Sequence, residues 1–412
     1  MLCAVPERGD SSLDVAALLD AVEAAPPVAA ADVFGAALAE RIGAREVSFL
    51  IADFSGHALI RLGHSGSEAA NRTQGEETAE RVPLEGSPQG RALATQATQV
   101  REESGGGAWV FAPVTNRGEP IGVLELRLSA TPERDALADI ALAAHALAYV
   151  VVVNRRFTDL FDWGQRSVAL SLAAEIQHRL LPGSFTCEAG QFTLAGWLEP
   201  AGEVAGDTFD FALDRDTLHL SITDAMGHGV DASLLATATV GALRNARRGG
   251  ADLAEQARLA HEALAKHAGQ GQFVTGQLVR IDLPTGTARI VNAGHPPPLR
   301  LRAGGVERVA LQADPPFGSL ASGYRVQELA LAEGDRLMFV TDGLLERNVA
   351  QLRISTLIAD LGDRHPRETV QRLTQAVREA AGGELADDAT ALCLDWHGGP
   401  ERERTSRAGA NA

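Results

Sequence analysis

Leu218-His219-Leu220-Ser221-Ile222-Thr223-Asp224-Ala225-Met226-Gly227-His228-Gly229 is an apolar strand that runs straight into an aspartate and then into a turn bracketed by glycines. A strand end is a rigid mount, and glycine lets backbone and ligand approach closely. Two more apolar runs behave alike. Arg336–Val340 delivers Asp342 within Thr341-Asp342-Gly343, and Thr390–Trp396 departs just after Asp387-Asp388-Ala389. Upstream stands a further acidic cluster, Gly206-Asp207-Thr208-Phe209-Asp210. Alone, an Asp-Gly after a strand is a turn in which the aspartate bonds its own backbone, and a paired Asp-Asp is solvated surface. Four such clusters in one region ask for a common purpose.

The surrounding chain is rich in strands. They are expected at Phe192–Trp197, Leu218–Thr223, Phe273–Asp282, Ala288–Asn292, Leu299–Arg302, Arg325–Leu329, Arg336–Val340 and Thr390–Trp396. Helices are expected at Val230–Arg247, Asp252–Lys266, Ser355–Asp360 and Arg367–Ala380. Many strands with two paired helical blocks predict a sheet sandwich flanked by helices. Pro400–Ala412 is polar and without periodicity, as a tail would be.

The first part of the chain reads differently. An Ala- and Pro-rich stretch precedes a helix at Val33–Ile42 and a hairpin, Val47–Asp53 with His57–Leu62, turning at Phe54-Ser55-Gly56. A Gly- and Glu-rich loop, a short strand at Val82 and a helix over Gln89–Thr95 follow. Trp109–Val114 and Gly122–Leu128 then pair, and a helix over Glu133–Val153 closes the unit. This element order, with Phe111-Ala112-Pro113-Val114 and Gly122-Val123-Leu124, resembles a GAF domain, a small sensory α/β module. Beyond it Phe161, Val168, Leu172, Ile176 and Leu180 form an apolar stripe that predicts a helical connector, stopped at Leu181-Pro182-Gly183. The expected domains are an N-terminal extension (1–30), the GAF-like module (31–155), a helical linker (156–190), the strand-rich domain (191–397) and a tail (398–412).

Composition narrows the function. The chain has 412 residues, enough for about two to three domains, with 45% hydrophobic and 22% charged residues. Its formal charge is −17, from 54 acidic and 37 basic residues. Residues 1–155 carry −9 (21 acidic, 12 basic) and the remainder −8 (33 and 25), so the deficit is even. Neither part is a basic surface, which argues against nucleic-acid or anionic-membrane binding. Lys266, flanked by Ala265 and His267, is the only lysine, which excludes a Gly-Lys-Ser/Thr phosphate loop. Cys3, Cys187 and Cys393 form no metal or disulfide pattern and suit a reducing compartment. Met1–Pro6 lacks a basic start and an apolar run. Asp139 and His145 interrupt Ala136–Val153, the longest apolar stretch. The reading is therefore a cytoplasmic protein.

Converging carboxylates without histidine or cysteine ligands suit hard cations, Mg²⁺ or Mn²⁺ rather than Zn²⁺. Two carboxylates ~4 Å apart repel by ~4 kcal/mol at an effective dielectric of ~20. Two divalent ions would offset four carboxylates, acidify a water and clamp a transferring group. A chain this acidic repels phosphate, so metals must supply the local attraction.

Read together, Gly206-Asp207…Asp210, Asp224 through Gly229, Asn292-Ala293-Gly294-His295-Pro296, Gly334-Asp335…Thr341-Asp342-Gly343 and Asp387-Asp388-Ala389-Thr390 resemble the bacterial PPM-type serine/threonine phosphatases, in their SpoIIE-like branch. Glu175-Ile176-Gln177…Leu180-Leu181-Pro182 is similar to the helix that precedes the catalytic domain there, and a GAF domain in front is a common arrangement. The resemblance implies an αββα sandwich with a two-metal site between its sheets. The overall fold class is thus α/β (α+β): a GAF-like module, a helical linker and a PPM-type sandwich. Asp207, Asp224, Asp342 and Asp387 would be the catalytic metal ligands, with Asp224 shared by both ions and Ala225 offering its backbone carbonyl. The roles of Asp210, Asp388, Asn292, His295 and His228 stay open; His295 is read mostly as fixing the turn before Pro296. Ala205 and Met226 depart from the family pattern at positions where glycine and serine are frequent, and neither removes a ligand.

The activity implied is hydrolysis of phosphoserine or phosphothreonine on a protein with Mn²⁺ or Mg²⁺. By family analogy the substrate is a phosphorylated STAS-domain anti-sigma factor antagonist, and a ligand of the GAF-like module would regulate the enzyme. The linker stripe would let two copies pair as a homodimer and transmit the signal. The competing reading is a catalytically silent PPM-fold regulator that acts by binding a partner.

Overall fold

The structure, a computed structural model, describes residues 13–54, 56–65, 80–166, 170–200, 206–267, 269, 271–319, 323–345, 353–383, 385 and 387–398. Ser55, Val168, Ala205 and Pro400–Ala412, all named above, lie outside them. Chain contacts divide the molecule between Ala169 and Leu170 into two compact units.

The first unit runs α1 (Val15–Glu23), α2 (Ala30–Ile42), β1 (Glu46–Ala52), β2 (Ala58–Ser65), β3 (Arg81–Pro83), α3 (Pro88–Thr95), β4 (Gln99–Glu102), β5 (Ala108–Asn116), β6 (Glu119–Leu128), α4 (Arg134–Asn154) and α5 (Leu160–Gly164). Its antiparallel sheet has the order β3-β2-β1-β6-β5-β4. Strand alternation sends Phe49 and Ile51 to a face covered by α1, α2, α4 and α5, and Leu50 to the opposite face under α3. Ser87 caps α3 by accepting from Gly90 N at 3.0 Å, ahead of Pro88. Helix α4 is the one described helix long and apolar enough to cross a membrane by length and composition; half of its most apolar window is buried within the protein.

The second unit runs α6 (Leu172–Leu180), β7 (Thr186–Glu188), β8 (Phe192–Glu199), β9 (Asp207–Leu213), β10 (Thr217–Ala225), α7 (Gly229–Arg248), α8 (Leu253–His267), β11 (Val274–Asp282), β12 (Thr287–Ala293), β13 (Leu299–Arg302), β14 (Gly305–Arg308), β15 (Gln327–Ala330), β16 (Arg336–Val340), α9 (Ile354–Asp360), α10 (Pro366–Ala380) and β17 (Ala389–Trp396). Two antiparallel sheets form, ordered β15-β12-β11-β10-β9 and β14-β13-β16-β17-β8-β7. Their inner faces meet in one core of Phe192, Leu194, Phe209, Leu220, Ile222, Ile281, Leu337, Phe339, Leu392 and Leu394. The alternate residues face outward. Met338, Val340, Ala391 and Cys393 pack under α9 and α10, while Leu278, Val291 and Ala293 pack under α7 and α8. The layers are therefore helix, sheet, sheet, helix, the sandwich expected from the sequence.

The linker differs from its expectation. One continuous helix is replaced by two. Phe161 on α5 is buried in the core of the first unit, whereas Leu172 on α6 is exposed and Leu180 packs beside α7 and α8. The physical reason is local. Gly164 closes α5, and a Cβ there would fall 2.6 Å from Leu62. Ser171 then starts α6 afresh by accepting from Ala174 N at 3.1 Å. The apolar spacing was real, but Phe161 and Leu180 serve different cores and Leu172 serves neither.

Candidate metal centre

β9 and β10 pair so that Asp207 stands directly opposite Asp224. Both continue the inward rows of their strands, after Phe209 on one and Leu218, Leu220 and Ile222 on the other. The two carboxylates thus share the inter-sheet face at the end of the sandwich. From the other sheet β16 ends at Val340, and Asp342 opens a single 3-10 turn, Asp342–Leu344. Asp387 and Asp388 lie just before β17, the neighbour of β16. The four strand ends therefore meet from both sheets.

Hydrogen bonds lock this meeting. The Thr341 hydroxyl donates to Asp207 Oδ2 at 2.7 Å, bridging one sheet to the other. Thr341 Oγ1 also accepts from Thr390 N at 3.0 Å, tying the turn to β17. Asp388 is buried; its Oδ2 accepts from Gln177 Nε2 at 2.6 Å and from Gly206 N at 3.2 Å. Gln177, on α6, donates as well to the Asp207 carbonyl at 2.9 Å. Asp387 Oδ1 accepts from Asp388 N at 2.8 Å. Two glycines are required by close approach: a Cβ on Gly206 would lie 2.5 Å from the Ala225 carbonyl oxygen, and one on Gly343 would lie 2.1 Å from that of Asp388.

The electrostatics are those of crowded anions. Burial pushes the Asp207 carboxyl well above its usual range, and Asp224 and Asp388 push it further. Asp224 is pushed up to about 7, by burial first and then by Asp342, Asp387 and Asp388. Asp387 is raised by burial and by Asp342. Every charged group acting on Asp224 is another carboxylate. Among the described residues no three His, Cys, Asp or Glu side chains are already drawn to the spacing of a closed metal-ligand set. The carboxylates are within electrostatic reach of one another. An all-oxygen, uncompensated donor set of this kind fits Mg²⁺ or Mn²⁺.

The structure also separates the residues whose roles were open. Asp210 is not in the cluster. Three residues along a strand from Asp207, it faces the opposite way, into ion pairs with Arg244 at 2.8 Å and Arg247 at 2.9 Å on α7. Asp388 holds the scaffold through Gln177 and Gly206. Asn292 Oδ1 accepts from His295 N at 2.9 Å, and His295 Nδ1 meets Thr275 Oγ1 at 2.9 Å. Burial pushes the His295 ring down to about 3, against the Val340 backbone, so it is neutral. Thr275 is the register partner of Asp224, which makes the Asn292–His295 turn a brace behind that aspartate. His228 is exposed at the start of α7 and its side chain makes no cap bond. Sequence reasoning gave no role to Thr341 and quoted Gln177 only as part of a resemblance. Thr341 carried a signal, standing between a strand and Asp342. Gln177 carried none, since its contacts are with residues 30 and 211 positions away.

Residues 214–397 match the family model described as "Stage II sporulation protein E (SpoIIE)". The chain is 23% identical over 214 residues to the phosphoserine phosphatase RsbP of Bacillus subtilis, covering 50% of this chain and 51% of that protein. It is 26% identical over 212 residues to Protein IcfG of Synechocystis sp., covering 44% and 33%. The match spans about half or less of these curated relatives. A solved structure of the RsbU and RsbW domains of Rv1364c from Mycobacterium tuberculosis is 26% identical, covering 52% of this chain and 62% of that one, with a TM-score of 0.46.

Proposed function

We propose, from the match of residues 214–397 to the SpoIIE family model and the resemblance to PPM-type phosphatases, that this chain is a metal-dependent phosphoserine/phosphothreonine protein phosphatase. The observation that carries the reading is the meeting of Asp207, Asp224, Asp342 and Asp387 from two sheets, each anion raising the charge cost of the next. Asp207 and Asp224 would hold metal from one sheet, with the Ala225 carbonyl beside them, and Asp342 and Asp387 from the other. Mn²⁺ or Mg²⁺, when bound, supplies Lewis acidity toward water and counter-charge for the phosphate. The chain's own contribution is preorganisation. Thr341 fixes the Asp207 carboxylate, Gln177 and Gly206 fix Asp388, and the Asn292–His295 turn backs Asp224.

The name of RsbP, a phosphoserine phosphatase, supports a phosphoprotein substrate. The family resemblance supports a phosphorylated STAS-domain protein, a GAF-like module that regulates in response to a small ligand, and a cytoplasmic setting. Release of phosphate from a serine-phosphorylated STAS-domain protein with Mn²⁺ tests the activity. Asp342→Asn should lose at least a hundredfold in rate; wild-type activity in that variant would refute the assignment. The silent-regulator reading predicts no Mn²⁺ binding in a calorimetric titration, and heat of binding would remove it.

A further inference from the structure

Helices α6 and α7 lie side by side and run the same way: Ser233 Oγ donates to the Ala173 carbonyl at 3.2 Å near their starts, and Arg244 donates to the Leu180 carbonyl at 2.7 Å near their ends. The start of α7 lies by the metal centre, because the helix begins four residues after Ala225, and the Ser233–Ala173 bond sets the start of α6 beside its first turns. At this end large apolar side chains stand open to solvent. Met226 is 41% exposed, Val230 41%, Leu234 55% and Leu172 67%. Val230 and Leu234 share one face of α7 at a spacing of four, and Met226 precedes them beside Ala225. Among the described residues these side chains belong to no core cluster; the core contacts of α7 come from Leu235, Ala236 and Leu243.

We propose that Met226, Val230, Leu234 and Leu172 form the docking surface for the folded phosphoprotein substrate, a partner that presents an apolar patch next to its phosphorylated residue. The proposal rests on the phosphatase reading above. Its argument is one of reach. A phosphate held between Asp207 and Asp342 brings its parent protein against the rim of the site. A standard protein interface covers ~800 Å² on each side, a disc of about 16 Å radius. Leu234 lies only ~8 Å along α7 from the helix start, so a folded substrate centred on the site covers it. Apolar residues inside such a disc give affinity by losing water. A phosphate carried by a small molecule would not reach them.

The test compares two substrates on the full-length protein with Mn²⁺: p-nitrophenyl phosphate and a serine-phosphorylated STAS-domain protein. Leu234→Glu is expected to raise KM for the phosphoprotein at least tenfold, with kcat within twofold and both constants for p-nitrophenyl phosphate unchanged. Leu172→Ser on the other helix should act the same way, and Leu234→Met should restore KM. Equal losses on both substrates, or no change on either, would overturn the docking surface. Sedimentation velocity covers the rival occupant: a wild-type dimer that Leu234→Glu dissociates would make the patch a contact between copies and overturn the proposal. If the wild type hydrolyses neither substrate, the phosphatase reading fails, and the docking surface fails with it.

Discussion

Asp224 shows what one residue does to the chemistry of its surroundings. Its carboxyl has moved from 3.8 to about 7, because burial and three neighbouring carboxylates oppose its charge. The folded chain therefore keeps a proton that the unfolded chain releases near 3.8. Without metal, stability declines as pH rises from about 4 to about 7. Divalent ions reverse this by replacing the proton as counter-charge. Thermal melts should show a metal-free protein more stable near pH 5 than near pH 8, and a larger Mn²⁺-induced rise in Tm near pH 8. The same rise at both values would mean that Asp224 is not part of the metal centre. Asp210 provides the contrast. Asp210→Ala removes the carboxylate that Arg244 and Arg247 share and should cost about 1–3 kcal/mol of stability, read by denaturant unfolding, with Mn²⁺ affinity unchanged. No strand was expected over these residues and the role of Asp210 was left open; only once β9 forms does the spacing of three put Asp207 and Asp210 on opposite faces. What the letters could not show was which face looked inward.

At the scale of elements, the site depends on how strands end. β9, β10, β16 and β17 each finish or begin within two residues of an aspartate, and the turn after β16 is clamped by Thr341. Thr341→Val keeps the shape and removes the hydroxyl donated to Asp207. It should weaken Mn²⁺ binding about tenfold, as expected for a hydrogen bond to a charged group, measured by calorimetry. An unchanged affinity would show that Asp207 needs no such support. Of these strands β10, β16 and β17 were expected from their apolar runs, while β9, which carries Asp207, was not. The apolar spacing of the linker was read too simply. A period of four or seven shows that residues share a helical face only where one helix persists, and Gly164 followed by Ser171 is a stop and a fresh start. Gln177 was out of reach for another reason: its partners, Asp207 and Asp388, are brought near it by the fold and by no local pattern.

The whole molecule has two units, each with its own core. A ligand that binds only one of them stabilises that one, by ~2.7 kcal/mol at a hundredfold excess over its Kd. Calorimetric unfolding of the full chain should therefore show two transitions, of which Mn²⁺ shifts one. A single transition moving as a block would mean that the units unfold together. The charge of −17 adds a global effect. It draws divalent cations and repels anions. The most direct measurement is anomalous diffraction at the manganese edge from crystals grown with Mn²⁺. The account predicts two peaks enclosed by Asp207, Asp224, Asp342 and Asp387, lost in Asp224→Asn. Manganese bound elsewhere, or absent from this cluster at saturating concentration, would contradict it.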